Sequence, residues 1–152
     1  MITGLHHGNL VVSDLDRAKK FYTEVLGLHT VLETEIDEPE FDRGVGIPGT
    51  KVRALFLAIP NSPTQIEIFQ YVAPHKSKPR PADALPSDIG FGHLAFLVDD
   101  IDAVHRRLAE NKVPFVSSPV RISDTHKDCA GIRFCYLSDP DGTIVELIYI
   151  PR

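Results

Sequence analysis

The chain has 152 residues, 43% of them hydrophobic and 24% charged, with a formal net charge of −5 from 16 basic and 21 acidic side chains. That size suits one compact domain or two small modules sharing a core, and the acidic balance speaks against nucleic acid, whose phosphates call for a clustered basic surface. No basic-then-apolar leader and no apolar run long enough to cross a bilayer is read in it, so a soluble, cytoplasmic protein with no membrane partner is expected.

The first element, HGNLVV from His7, is an apolar strand that opens on a histidine. Asp14 follows as a candidate N-cap, its carboxylate able to accept first-turn N–H groups. Leu15, Ala18, Tyr22, Val25 and Leu26 recur at helical spacing, and Gly27 ends the pattern as a C-cap. Strand signals come next at His29–Ile36, Arg53–Ile59 and Gln65–Val72. Between the first two of these, residues 37–50 carry Pro39, Gly44, Gly46, Pro48 and Gly49 and read as a long inter-strand loop. Gly44-Val45-Gly46 does not join a strand to a helix as a nucleotide-binding turn must.

Residues 74–88, PHKSKPRPADALPSD, hold four prolines and no periodicity, and read as a linker. After it the pattern starts again. HLAFLVDDID from His93 lies over HGNLVVSDLD from His7 at an offset of 86, which pairs His7 with His93, Asp14 with Asp100 and Asp16 with Asp102. Asp100 is the second candidate N-cap, and Ile101, Val104, Leu108 and Ala109 form the second helical stripe. Strand signals then fall at Pro114–Ser117, Gly131–Leu137 and Thr143–Ile150, with Asp-Pro-Asp-Gly as a turn before the last. Each half therefore reads β-α-β-β-β, with modules 1–73 and 89–152 about the linker. Cys129 and Cys135 match no usual zinc spacing or disulfide framework, and read as two thiols in or near a strand.

Four polar residues stand out on this frame. Glu67 lies in QIEIF and Glu146 in IVELI, the last strand of each half, with apolar residues on both strand faces. A buried carboxylate without a partner is strongly disfavoured, and His7 and His93 pose the same problem at the first strand of each half. Two neutral imidazoles and two carboxylates sum to −2, a charge that one divalent cation neutralises; without it the carboxylates would repel and one would stay protonated. Nitrogen and oxygen donors of this kind suit Zn, Ni, Co, Mn or Fe. Four protein ligands leave room for substrate on a five- or six-coordinate ion, which favours an open centre over a closed structural zinc site. His29, His75 and His105 have no repeat partner of this kind. His6 is expected to point to the face opposite His7, and His126, in SDTHKDCAG, reads as a solvated loop residue within reach of a site.

With those residues in place, HGNLVVSDLDRAKKFYTEVLGL, QIEIFQY, GFGHLAFLVDDIDAV and YLSDPDGTIVELI together resemble the vicinal oxygen chelate superfamily, which includes glyoxalases, bleomycin-resistance proteins and extradiol dioxygenases. The resemblance spans His7 to Ile150. It implies an α+β fold of two tandem βαβββ modules whose curved mixed sheets form a cup around a metal, with His7, Glu67, His93 and Glu146 at the four ligand positions. It also implies one divalent metal ion, a small-molecule substrate offering vicinal or carbonyl oxygens, and a metal acting as Lewis acid. By resemblance to glyoxalase I and methylmalonyl-CoA epimerase, Glu146 and Glu67 are the candidate base and acid for proton transfer α to a carbonyl, in a lyase or isomerase. The glutamate of QIEIFQY favours this branch over an Fe(II) extradiol dioxygenase, which needs His7, His93 and Glu146 alone. A non-catalytic antibiotic-binding protein is the third possibility; the absence of Trp and the presence of all four ligand types place it behind the others. The glyoxalase arginine that holds glutathione is replaced here by Val11, which argues for a different small carbonyl or acyl substrate. A homodimer is expected, because small open sheets leave edges that want covering, and the site could close within one chain or by exchange of modules.

Overall fold

The computed structural model describes residues 1–81, 83–90, 92–125 and 128–151. They form two compact units, residues 1–79 and 80–152. Each unit carries one four-stranded mixed sheet, and each is built in the order strand, helix, then three strands.

In the first unit β1 (His7–Val11) pairs parallel with β4 (Gln65–Ala73), which pairs antiparallel with β3 (Lys51–Ala58), and β3 with β2 (His29–Ile36). The parallel β1–β4 pair requires a crossover, supplied by α1 (Leu15–Lys20) and a π-helical turn over Phe21–Val25. The expected helix is therefore present, with its last turn widened: Leu26 N–H donates to the Phe21 carbonyl. Asp14 caps it as expected, its carboxylate accepting from the Arg17 N–H at 3.0 Å. Leu15, Ala18 and Tyr22 are buried and share the core with Leu55, Leu57, Ile66 and Ile68, which alternation places on one side of β3 and β4.

The second unit repeats this plan. β5 (His93–Leu97) pairs parallel with β8 (Ile144–Tyr149), β8 antiparallel with β7 (Arg133–Ser138), and β7 with the two-residue β6 (Val120–Arg121). α3 (Ile101–Glu110) crosses over, capped by Asp100, whose carboxylate accepts from the Ala103 N–H at 2.9 Å. Ile101, Leu108, Leu137, Val145 and Leu147 are buried, as is Cys135. The Asp-Pro-Asp-Gly turn forms as read: buried Asp139 accepts from the N–H groups of Asp141 and Thr143, and Gly142 takes the positive φ of 82° that the turn needs.

Two elements differ from expectation. The stretch 37–50 is not a plain loop, since it contains α2 (Pro39–Val45). Pro39 sits in the first turn, where its missing N–H costs nothing, and Gly46 at φ 73° closes the C-terminus. Of the residues that read as loop signals, Pro39 and Gly46 mark the helix's ends, and Gly44 lies within it. The Asp42 carboxylate then accepts from the Gly49 and Thr50 N–H groups and folds the return to β3. In the second unit Pro114–Ser117 is not a strand: only Phe115 forms a bridge, to Leu137, and the fourth strand is Val120–Arg121.

Both helices are tied to their sheets by an arginine–aspartate pair in matching places. Arg53 on β3 donates to both oxygens of Asp16 at 3.1 and 2.8 Å, and Arg133 on β7 to both oxygens of Asp102 at 2.6 and 2.7 Å. The guanidinium beside each holds the Asp16 and Asp102 carboxyls below the usual carboxylate range. No helix among the described residues is long and apolar enough to cross a membrane.

Candidate metal half-sites

Strand alternation puts His7, Asn9 and Val11 on the face of β1 opposite Leu10, and Gln65, Glu67, Phe69 and Tyr71 on one face of β4. The parallel register sets Asn9 directly beside Glu67 and His7 beside Gln65, one step away on the diagonal. On the other side of Glu67 stands Phe56 of β3. Glu67 is only 9% exposed, and its Oε2 lies 3.4 Å from His7 Nε2 and accepts from Asn9 Nδ2 at 2.8 Å.

The second unit makes the same pair from the same register. His93 lies beside Ile144, and Glu146 stands between Ala95 of β5 and Tyr136 of β7. Glu146 is also 9% exposed, and its Oε2 lies 2.9 Å from His93 Nε2. The Tyr136 ring packs against the His93 ring at 5.3 Å. Burial and the Glu146 charge push the Tyr136 phenol up, and burial, with the Glu146 charge adding to it, raises the Cys135 thiol from 9.0 to about 11. Cys135 is thus an inert core thiol; Cys129 is exposed.

Each pair fits a shared divalent cation. Two donors each about 2.1 Å from one ion stand about 3.0 Å apart at a right angle and about 3.4 Å apart at the tetrahedral angle; the observed separations are 2.9 and 3.4 Å, close to these two values. The donors are imidazole nitrogen and carboxylate oxygen, as borderline divalent metals prefer. Among the described residues neither glutamate has a lysine or arginine partner, so a buried carboxylate in each sheet faces only an imidazole and, for Glu67, an amide. No three His, Cys, Asp or Glu side chains among the described residues gather as a metal site; each unit holds one His–Glu pair.

Two residues near the pairs depart from the sequence reading. His6 does not turn away from His7, because β1 begins at His7 and strand alternation does not extend to the residue before it. The two rings meet edge to face, with Nδ1 of one 2.8 Å from Nδ1 of the other. This contact occupies the far nitrogen of His7 and leaves Nε2 toward Glu67, which is how outer groups orient a ligating histidine. Nothing in the sequence distinguishes Asn9, since a polar residue alternating with apolar ones is ordinary on an edge strand. The Phe41 ring of α2 packs edge to face on Phe69, two residues along β4 from Glu67, so α2 lies over the same face as the first pair. His126 lies outside the described residues. Val11, where the resemblance implies a glutathione-holding arginine in glyoxalases, is 49% exposed on the face of Asn9 and His7, and Leu97 of β5 is 70% exposed in the matching place.

Residues 4–147 match the Glyoxalase/Bleomycin resistance protein/Dioxygenase superfamily. A 2-epi-5-epi-valiolone epimerase from Actinomyces sp is 33% identical over 150 residues, 97% of this chain and 79% of that protein. A probable lactoylglutathione lyase from Vibrio parahaemolyticus is 29% identical over 93% of this chain and 87% of that one. Among solved structures, a glyoxalase family protein from Bacillus cereus superposes with a TM-score of 0.81 at 23% identity, covering 98% of this chain and 95% of its own.

Proposed function

Because this chain belongs to the glyoxalase, bleomycin-resistance protein and dioxygenase superfamily, we propose that it is a divalent-metal-dependent lyase or isomerase that moves a proton α to a carbonyl of a small chelating substrate. The observation that carries this reading is the recurrence of one His–Glu pair, at one register, in both sheets. His7, Glu67, His93 and Glu146 together form the ligand set of one metal centre, completed within one chain or across a homodimer.

The residues divide the work by their chemistry. His7 and His93 offer neutral nitrogens that hold position without carrying charge. Glu67 and Glu146 offset the charge of the cation and are the two groups able to take and return a proton. A divalent cation, when bound, supplies Lewis acidity toward the carbonyl, where negative charge develops as the α proton leaves. One carboxylate removes that proton and the other, or the same one, delivers it back. Return to the opposite face inverts the carbon, the outcome that the name of the Actinomyces relative describes. Exposed Val11 and Leu97 beside the pairs suit a substrate whose remaining part is uncharged, and support a reading away from glutathione.

The test is exchange of the α proton. The protein, loaded in turn with Ni, Co, Mn or Zn, is incubated in D2O with small α-hydroxy ketones and acyl compounds and followed by proton NMR. The reading predicts loss of the α-proton signal, abolished by a chelator and restored by the metal. No exchange with any metal, or oxygen consumption with catechols in the Fe(II) form, contradicts it; the second outcome assigns ring cleavage instead.

A further inference from the structure

The two pairs share a register but not their surroundings. Beside Glu67 stands Asn9, whose Nδ2 donates to Oε2 at 2.8 Å; beside Glu146 the corresponding place is held by Ala95, which has no side-chain donor. Asparagine is depleted in strands, so its place in β1 is not explained by backbone preference. A glutamate carboxylate also turns easily about its last bond, where no steep rotamer wells hold it. A donor fixed to one oxygen removes that freedom. It leaves other lone pairs available, since a carboxylate has about four acceptor sites, and His7 Nε2 remains 3.4 Å from the same oxygen.

We infer that Asn9 is a positioning residue of the proposed metal centre: its amide fixes the Glu67 carboxylate in the orientation that faces the cation. This rests on the metal reading above. The amide donor carries no charge. It acts from β1, the strand that carries His7, so both donors of this half-site are set by one strand. Glu146 has no corresponding amide donor among the described residues; its Oε2 lies 2.9 Å from His93 Nε2. Of the two carboxylates, Glu67 alone has an amide donor among the described residues.

The experiment measures Co(II) affinity by competition with a chelating dye, together with the visible absorption spectrum of the bound ion, and needs no substrate. Wild type, Asn9→Ala, Asn9→Val, Asn9→Gln and Glu67→Ala are compared, with far-UV circular dichroism confirming the fold. Asn9→Val keeps a residue suited to a strand should the alanine variant fold poorly. The expected result is a loss of about 10- to 100-fold in affinity for Asn9→Ala and Asn9→Val, the size usual for outer-shell partners. A changed Co(II) spectrum accompanies it, and Asn9→Gln recovers part of both. Affinity within about twofold of wild type and an unchanged spectrum in the folded Asn9 variants, while Glu67→Ala weakens binding, overturns the role of Asn9 and leaves the metal reading standing. Wild type that takes up no Co(II) overturns both.

Discussion

The first module surrounds its His–Glu pair with polar helpers, while the second surrounds the same pair with a ring and an aliphatic side chain; in both the glutamate is buried, whereas His7 is half-buried and His93 exposed. His6 meets His7 and Asn9 holds Glu67; Tyr136 packs on His93 and Ala95 stands beside Glu146. What the two share is narrower: the capped crossover helix, the Arg–Asp tie, the strand register and the His–Glu pair itself. The shared features place the pair, and the features that differ set how firmly each side chain is held. A duplicated frame thus delivers the same His–Glu pair twice, and the neighbours of the two pairs differ.

The largest expected effects bear on the pairs. Glu67→Gln and Glu146→Gln should each keep the fold and lower turnover by about 10²- to 10⁴-fold, the range of a lost acid or base, measured by α-proton exchange. An effect confined to one of them would sharpen the comparison by assigning proton transfer to a single module. Next in size is the core. Leu57 and Leu137 occupy matching places on β3 and β7 and are fully buried, so alanine at either should destabilise by about 2–5 kcal/mol in urea denaturation. Two separate unfolding transitions, each shifted by its own variant, would show that the modules melt independently.

A smaller effect separates the thiols. Cys129 should react rapidly with a thiol reagent at pH 8, whereas Cys135, buried and raised to about 11, should react only on unfolding. The smallest belongs to the exposed Arg–Asp ties. The Asp16 and Asp102 carboxyls are held below their ordinary value of 3.8 in the folded state. Their contribution is therefore present above that value and lost as pH falls through the lowered folded one. Asp102→Asn should slightly lower the melting temperature at pH 7 and make no difference at the acid end. Asp16→Asn should do less, because Arg53 keeps Glu33 and Gln70 as further partners.

Much of this frame was legible because the repeat is written in side chains. Asp14 and Asp100 announce the helices, and Glu67 and Glu146 stand out as charges inside apolar strands. What escaped did so for local physical reasons. Pro39 and Gly46 are breakers inside a helix but good ends for one, so the stretch that forms α2 reads as loop in the sequence. Phe115 makes a lone bridge, and its apolar neighbours suggested a strand that does not form. His6 lies one residue before β1, where alternation no longer says which way a side chain points. Asn9 is ordinary in composition, and only its 2.8 Å contact with Glu67 distinguishes it.

The most direct test of the central claim is metal stoichiometry by elemental mass spectrometry on untagged protein, as purified and after dialysis against Ni, Co, Mn, Zn or Fe(II). It compares wild type with His7→Ala and His93→Ala. The account predicts about one divalent ion per chain, lost on substitution in either module, because both pairs serve one centre. No bound metal, or two ions per chain of which each variant loses only one, would contradict it.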